Sequence, residues 1–503
     1  MQAVGAFVAH NARRFPQKLA LVDGGIRLTY AELDAETDAL AAALVARGVQ
    51  PGDRVGILAG ASAEWAKAFL AIAKAGALAS ALNYRETPDR LGAMMRDVGV
   101  SLLFADEAGR ALMSSESGLP EILSLERDSQ DELAHPFQGR KADRSVSPDQ
   151  GGVILFTGGT TGVSKGVLLS HANLFWNAVN EIIDTRMTEW DTTLLATALH
   201  HSAALNTWFL PHLYLGATSV ILREFSAGAW IEAMQRERAT NSFTPPTMAR
   251  QIVKHPGADR ADWSSFKRWY SGAGILPRHE REEMEALSPG LGIYYEYGLT
   301  EAGPIVTCLQ PEDYDRAPGS IGRAVRNCEL RILREDRTDA APGELGELAV
   351  RGPAVMSGYY NRPEETRKVF HDGWLLTGDL GVMDEGGFVT FHDRSKDMIK
   401  TGGLNVYSQE VEYVMAKHPA VREVAVIGLP DDHWGEMVTA VVTLHDGKQA
   451  SAEDLISFAR TSLGGYQTPK AVRFMSYDEL PKNYLGKILK RELRAQIHSG
   501  ESA

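Results

Sequence analysis

Residues 29–76 read TYAELDAETDALAAALVARGVQPGDRVGILAGASAEWAKAFLAIAKAG. Thr29-Tyr30-Ala31-Glu32 is a capping box, in which a hydroxyl and a carboxylate three residues apart satisfy each other's backbone N–H groups. It opens a helix running through ALAAALVARG to Gly48. Pro51-Gly52-Asp53 makes a turn, and RVGIL after it has the length and apolarity of a buried strand. SAEWAKAFLAIAKAG then sets Trp65, Phe69 and Ile72 on one helical face and stops at Gly76. The alternation continues through about the first 400 residues, so the fold class is α/β, with largely parallel sheet covered by helices. Residues 114–150 break the rhythm with charges, Ser, Pro and Gly, and are expected to cover the surface.

A second change comes near residue 394. Beyond it VAVIGLP, MVTAVVTL and AVRFMS read as short strands among two helices, at about 408–417 and 453–463. About 105 residues are enough for a small α+β domain with its own core. The expected organisation is a large N-terminal body of packed α/β subdomains, residues 1–394, and a C-terminal domain, 395–503.

Composition sets the outer limits. At 503 residues, 44% hydrophobic and 23% charged, the chain is an ordinary globular protein with room for several subdomains. A net charge of −13 argues against a nucleic-acid-coating surface. The start, MQAVGAFVAHNARRFPQK, lacks the order of a signal peptide, and no run reaches the roughly 18 apolar residues of a membrane span. Cys308 and Cys328 form neither a zinc spacing nor a disulfide framework. A soluble, cytoplasmic protein is expected.

The strongest chemical signal is Phe156-Thr157-Gly158-Gly159-Thr160-Thr161-Gly162-Val163-Ser164-Lys165-Gly166, where the apolar run VILF enters a loop of Gly, Thr and Ser with one lysine. Glycines let successive N–H groups converge on an anion, and hydroxyls and a cation add charge-assisted bonds. It is not a P-loop, because Lys165 falls three residues after Gly162, whereas that pattern needs Gly-Lys-Ser/Thr contiguously. Tyr297-Gly298-Leu299-Thr300-Glu301 adds a hydroxyl and a hard oxygen ligand. Trp374-Leu375-Leu376-Thr377-Gly378-Asp379 offers a carboxylate in a Gly turn, and Asp393-Arg394-Ser395-Lys396 a charged run. Gly402-Gly403-Leu404-Asn405-Val406-Tyr407 leads a helix carrying Glu410 and Glu412. Near the end stands Lys482-Asn483-Tyr484-Leu485-Gly486-Lys487-Ile488-Leu489-Lys490.

In this order the blocks resemble the adenylate-forming acyl-CoA synthetases, with Gly158 and Ser164 where that family more usually has Ser and Pro, and Leu404 at a usually acidic position. The resemblance runs from Thr29 to Lys490 and implies a carboxylate–CoA ligase using ATP, Mg²⁺ and coenzyme A. It implies a phosphate loop over Thr157, Gly158, Gly159, Thr160, Thr161 and Lys165, and nucleotide contacts from Gly272, Ala273, Gly274, Tyr295, Glu296, Tyr297 and Gly298. Thr300 would meet the α-phosphate, Glu301 the metal, Asp379 the ribose, and Arg394 ribose or phosphate. Lys396 would be the hinge of a mobile C-terminal lid and Lys487 the adenylation lysine; Lys482 and Lys490 read as surface charges. Gly402 and Gly403 would line the pantetheine tunnel, and Trp434 and Tyr466 the CoA nucleotide, with Thr468 standing where some relatives carry a cation.

For the acid, the resemblance points to His201, Ala204, Tyr270 and Gly274, with Trp208 and Trp269 as aromatic walls. The segment Ala198–Asn206 lacks the Asp that amino-acid-activating relatives use. Medium- or long-chain fatty acids and aryl or arylpropenoic acids both stay open. So do a stand-alone enzyme loading a carrier-protein pantetheine and an inactive nucleotide-binding relative. The implied partners are small molecules and a possible homodimer, with no nucleic acid.

Overall fold

The computed structural model describes residues 2–142, 144–157, 164–274, 276–482 and 488–500. Gly158, Gly159, Thr160, Thr161 and Lys487 lie outside the described residues. Contacts divide the chain into two units, one of residues 1–330 with 350–375, the other of 331–349 with 376–503.

The first unit holds two sheets of the expected kind. The nine-stranded sheet has parallel neighbours Leu19–Asp23, Thr218–Ile221, Thr192–Leu195, Asn241–Phe243, Arg268–Gly272 and Gly292–Gly298, with antiparallel strands only at its edges. The seven-stranded sheet pairs Gly151–Thr157, Leu78–Leu82, Arg54–Leu58, Val100–Ala105 and Glu121–Ser124 in parallel. Lys165–Ser170 returns antiparallel along Gly151–Thr157. Parallel strands need crossover helices, and the chain supplies them between successive strands.

The capping box forms as read: Thr29 and Glu32 bond reciprocally at the start of the helix Tyr30–Ala46. The helix Ala63–Lys74 departs from the one-face expectation. Every residue from Ala63 to Ala73 is buried, because the small Ala63, Ala66, Ala68, Ala71 and Ala73, spread around the helix, let neighbouring elements approach closely on several sides. Its charged side chains are paired, Lys67 with Glu36 at 3.1 Å and Lys74 with Asp34 at 2.6 Å. The interval 114–150 also departs from a plain surface cover. Glu121–Ser124 adds an edge strand and Arg127–Ala134 a helix, both too short and too polar to stand out by periodicity.

In the second unit, Val421–Asp431 and Gly435–Leu444 form a long antiparallel hairpin, with Ala471–Phe474 parallel on the far side of the latter. Helices Ser408–Met415 and Ala452–Arg460 form at the expected places. Val411, Met415, Val426 and Leu455 share one core. A further helix, Lys490–Gly500, was not expected; Leu493 and Ile497 bury against Ile427. Among the described residues, no helix is long and apolar enough to cross a membrane.

Candidate active site

In the first unit the loop motifs follow carboxyl ends of parallel strands, the end at which open α/β sheets bind ligands. Gly151–Thr157 leads into the Gly/Thr loop, and Thr157 pairs in register with Lys165, so the loop closes a β-hairpin. Gly292–Gly298 runs into Thr300 and Glu301. Gly298 is obligatory there: a Cβ would stand 2.0 Å from the Pro304 carbonyl oxygen, whose acceptance of the Leu299 N–H at 3.0 Å folds the turn back. Thr300 Oγ1 then sits 3.0 Å from Ser202 Oγ.

A chain of contacts joins the hairpin lysine to that turn. Lys165 Nζ bonds Glu365 Oε2 at 2.8 Å and lies 4.8 Å above the ring of Tyr359. The Tyr359 hydroxyl donates to Glu301 Oε1 at 2.9 Å. Lys165 and then Lys368 hold the Glu365 carboxyl down at about 2. Burial, followed by the Glu301 charge, holds the Tyr359 phenol well above its ordinary value, so it remains a donor. Among the described residues there is no group of three or more His, Cys, Asp or Glu side chains that could cage a metal. Glu301 fits a different arrangement, since Mg²⁺ accompanying a nucleotide takes one or two carboxylates and fills its shell with phosphate oxygens and water.

Ala273, between Gly272 and Gly274, has φ 62°, and the Tyr295 hydroxyl donates to the Gly274 carbonyl at 2.5 Å, tying the two strand ends together. The rings of His200 and His201 lie 4.2 Å apart between centroids, tilted by 53°. Burial and then the Arg85 charge hold His200 at about 3; burial, His200 and Arg85 keep His201 low, so both are neutral. Immediately after them Ala203–Phe209 is a π-helix, a geometry often found at functional sites. It places Trp208 at 4.4 Å from Tyr270 and 5.7 Å from Phe243. Ala204 is fully buried beside them.

Trp269 corrects the expectation of two tryptophan walls. Neighbours on a strand face opposite ways, so with Tyr270 on the Trp208 side, Trp269 joins Trp230, Trp263 and Phe266 in a separate core. Glu296, expected beside the nucleotide, has its side chain 7% exposed, on the Tyr270 face.

In the second unit Asp379 and Arg394 are cross-strand partners, with Nε 3.2 Å from Oδ1 and the carboxylate 2% exposed. The Ser395 N–H donates to Gly378 O at 2.9 Å, fixing the approach to Lys396. Gly402 and Gly403, both at positive φ, form the turn between Ile399–Thr401 and Leu404–Val406. The Gly402 N–H donates to the Trp434 carbonyl at 2.7 Å, bringing two predicted positions together. Tyr466 is exposed. Thr468 is buried and bonds Gly464 O, while Lys470 Nζ stands 5.3 Å over the Trp434 ring, supplying a cation two residues further on. Lys482 and Lys490 are not surface charges: each is only 13% exposed and pairs at 2.7 Å, with Glu423 and Glu412.

Sequence reasoning missed Tyr359, Glu365, Ser202 and Lys470. Only Ser202 carried a local signal, its place beside His201.

Loops with glycines, hydroxyls, a lysine and a carboxylate at the carboxyl ends of parallel strands suit a phosphorylated, nucleotide-like ligand. Residues 8–360 match the family model described as AMP-binding enzyme, and 410–487 that of the AMP-binding enzyme C-terminal domain. The chain is 37% identical to a feruloyl-CoA synthase of Amycolatopsis sp, over 99% of each chain. It is 35% identical to an indoleacetate–CoA ligase of Aromatoleum aromaticum, over 97% of this chain and 95% of the other. ATP-bound MatB from Rhodopseudomonas palustris superposes with a TM-score of 0.90 at 31% identity, covering 98% of both chains. The chain belongs to the AMP-binding enzyme family. It is an ATP-dependent, AMP-forming acid–thiol ligase that makes acyl-CoA through an acyl-adenylate, using ATP, Mg²⁺ and coenzyme A.

Proposed function

We propose that the acid is aromatic, an aryl or arylpropenoic acid. The observation that supports this is the Trp208, Tyr270 and Phe243 wall directly behind His200–His201. Rings packed on one another at 4.4–5.7 Å make a stiff aromatic wall against which another flat ring can stack, whereas a flexible alkyl chain gains less from such a surface. Two relatives named for aromatic acids, the feruloyl and indoleacetate enzymes, point the same way. Carboxylate-dependent pyrophosphate exchange over matched aromatic and aliphatic acids, followed by thioester formation with CoA, tests it. A higher kcat/KM for a C8–C12 fatty acid than for any aromatic acid would overturn it.

The site residues take the roles the family resemblance implies. The Gly/Thr loop and Lys165 cradle the triphosphate, and Thr300, steadied by Ser202, donates to the α-phosphate. Glu301, oriented by Tyr359, would hold Mg²⁺, which offsets phosphate charge when bound. Tyr297 and the Gly272–Gly274 turn lie along adenine, and Asp379 accepts the ribose hydroxyls beside Arg394. The carboxylate attacks the α-phosphate in line, forming a carbon–oxygen–phosphorus link and releasing pyrophosphate; Lys487 offsets the charge that builds on the oxygens. Residues 395–503 then turn about Lys396 and bring the Gly402–Gly403 turn, Trp434 and Tyr466 to the thiol. CoA attacks the mixed anhydride, and AMP leaves with the bonding pair. The same reading places the enzyme in the cytoplasm, where Cys308 and Cys328 stay reduced, as a homodimer; light scattering tests the assembly.

A further inference from the structure

In the second unit the turn that carries Asp379 is gripped from both sides. Gly378, within the strand Trp374–Met383, has φ 73°. In a regular antiparallel ladder the N–H and C=O of one residue serve the same neighbour. At Gly378 they are split. Its C=O accepts from the Ser395 N–H at 2.9 Å, just past the strand Val389–Arg394. Its N–H turns to the opposite neighbour, the strand Leu345–Arg351, and meets a side chain there, donating to Glu347 Oε1 at 3.0 Å. A carboxylate acceptor makes this a stronger and more directional tie than a ladder bond. Glu347 is held in turn, because Oε2 pairs with the Arg337 guanidinium. Arg337 lies in the connection from Glu329–Leu333 to Leu345–Arg351 at φ 69°, a left-handed conformation that a side chain disfavours and that persists only where its surroundings impose it.

The residue so fixed is the one directly before Asp379. The Asp379 N–H donates to Thr377 Oγ1 at 3.1 Å, and Thr377 Oγ1 donates to Leu348 O at 2.8 Å, next to Glu347 on the same strand. Arg394 aligns the Asp379 carboxylate from the far strand. A carboxylate that must accept two vicinal hydroxyls at once tolerates little rotation, and such a group keeps its angle only when the backbone beneath it is held. We infer that Glu347 is a positioning residue for nucleotide recognition: by holding the Gly378 N–H it sets the angle at which Asp379 meets the sugar, and with it the preference for a nucleotide bearing both ribose hydroxyls. The inference rests on the ribose role of Asp379 given above. Glu347 itself touches no nucleotide in this assignment; it acts through the turn.

The test reads nucleotide binding, so it is independent of which acid the enzyme takes. The full chain is titrated by calorimetry with Mg²⁺ and ATP, 2′-deoxy-ATP or 3′-deoxy-ATP. The wild type should bind ATP more tightly than at least one deoxy analogue by about tenfold or more, the scale of a lost hydrogen bond to a charged group. Asp379→Ala should bring that ratio of dissociation constants to within about twofold of unity. Glu347→Ala should lower it by about threefold or more, through loss of the bond to Gly378. Glu347→Met, of similar length but without an oxygen acceptor, should do the same, and decides the matter should Glu347→Ala not fold. Glu347→Gln keeps an oxygen for the Gly378 N–H and should hold the ratio within about twofold of wild type. A ratio unchanged in the Ala and Met variants, or a Gln variant that falls as far as they do, overturns the inference and leaves the ribose role of Asp379 intact. A wild type that binds all three nucleotides alike, or a ratio untouched by Asp379→Ala, removes that role, and the inference with it.

Discussion

Tyr359 donates its hydroxyl to Glu301 Oε1 at 2.9 Å while its ring lies under the Lys165 ammonium, 4.8 Å away. One side chain thereby fixes the angle of the proposed metal carboxylate and the height of the proposed phosphate lysine.

Tyr359→Phe keeps the ring and removes the donor. A hydrogen bond to a charged group contributes about 1.5–3 kcal/mol, so pyrophosphate exchange at saturating ATP should slow by about tenfold or more. The thioester step from supplied acyl-AMP should change little. Exchange within twofold of wild type would show that Glu301 is oriented by other means.

Lys487 and Lys396 should give opposite defects. Lys487→Ala should cripple acyl-adenylate formation and spare thioesterification of supplied acyl-AMP; equal loss of both halves would sink the assignment. Lys396→Pro, which locks φ at the proposed hinge, should slow the CoA step and spare exchange. Single-turnover rapid quench resolves the two, and a normal CoA step in the Lys396 variant would remove the hinge role.

Lys470→Ala addresses the cation over Trp434. Cation–π contacts at exposed sites contribute about 0.5–1 kcal/mol, and a lost phosphate contact adds to that. KM for CoA should rise several-fold with the exchange rate constant unchanged. The same KM would place the CoA nucleotide elsewhere.

Glu296→Gln should change how stability depends on pH. Burial pushes the Glu296 carboxyl up to about 8, above its unfolded value of about 4.3. The folded state's hold on that proton stabilises fully below the unfolded value and is lost as pH rises through the folded one. Wild type therefore loses this contribution between about pH 4.3 and 8, as set by those two values, and the amide variant does not. The difference in melting temperature, variant minus wild type, should shift in the variant's favour from pH 5 to pH 8. A constant difference would mean the carboxyl is already ionised. Glu181, Asp184 and Cys308 surround this group, and Glu181→Gln should weaken the trend by removing the repulsion.

The parallel sheets were legible because their signals are local: a capping box at Thr29, turn residues at 51–53, an apolar run of strand length. Helix Ala63–Lys74 was placed correctly and its packing was not, since alanine is equally at home on a surface or in a close interface. The loop motifs were legible in kind because glycine and hydroxyls at strand ends suit few other purposes. Tyr359 and Glu365 could not be read, because they reach Lys165 across about 200 positions by an antiparallel pairing, Tyr359 against Val167, that no local pattern announces. Trp269 failed for a simpler reason: an aromatic pair such as Trp269-Tyr270 does not say which ring faces the site until the register is known.

The Lys165–Glu365 bond has a consequence for how the nucleotide is received. On the proposed role the lysine does not wait bare for a phosphate; it already has a resident anion. Arrival of the triphosphate is then an exchange of one counter-ion for another, and what the protein senses is the difference between them. Selectivity against weaker anions would come from that incumbent, and a released Glu365 would be a mark that the exchange had taken place.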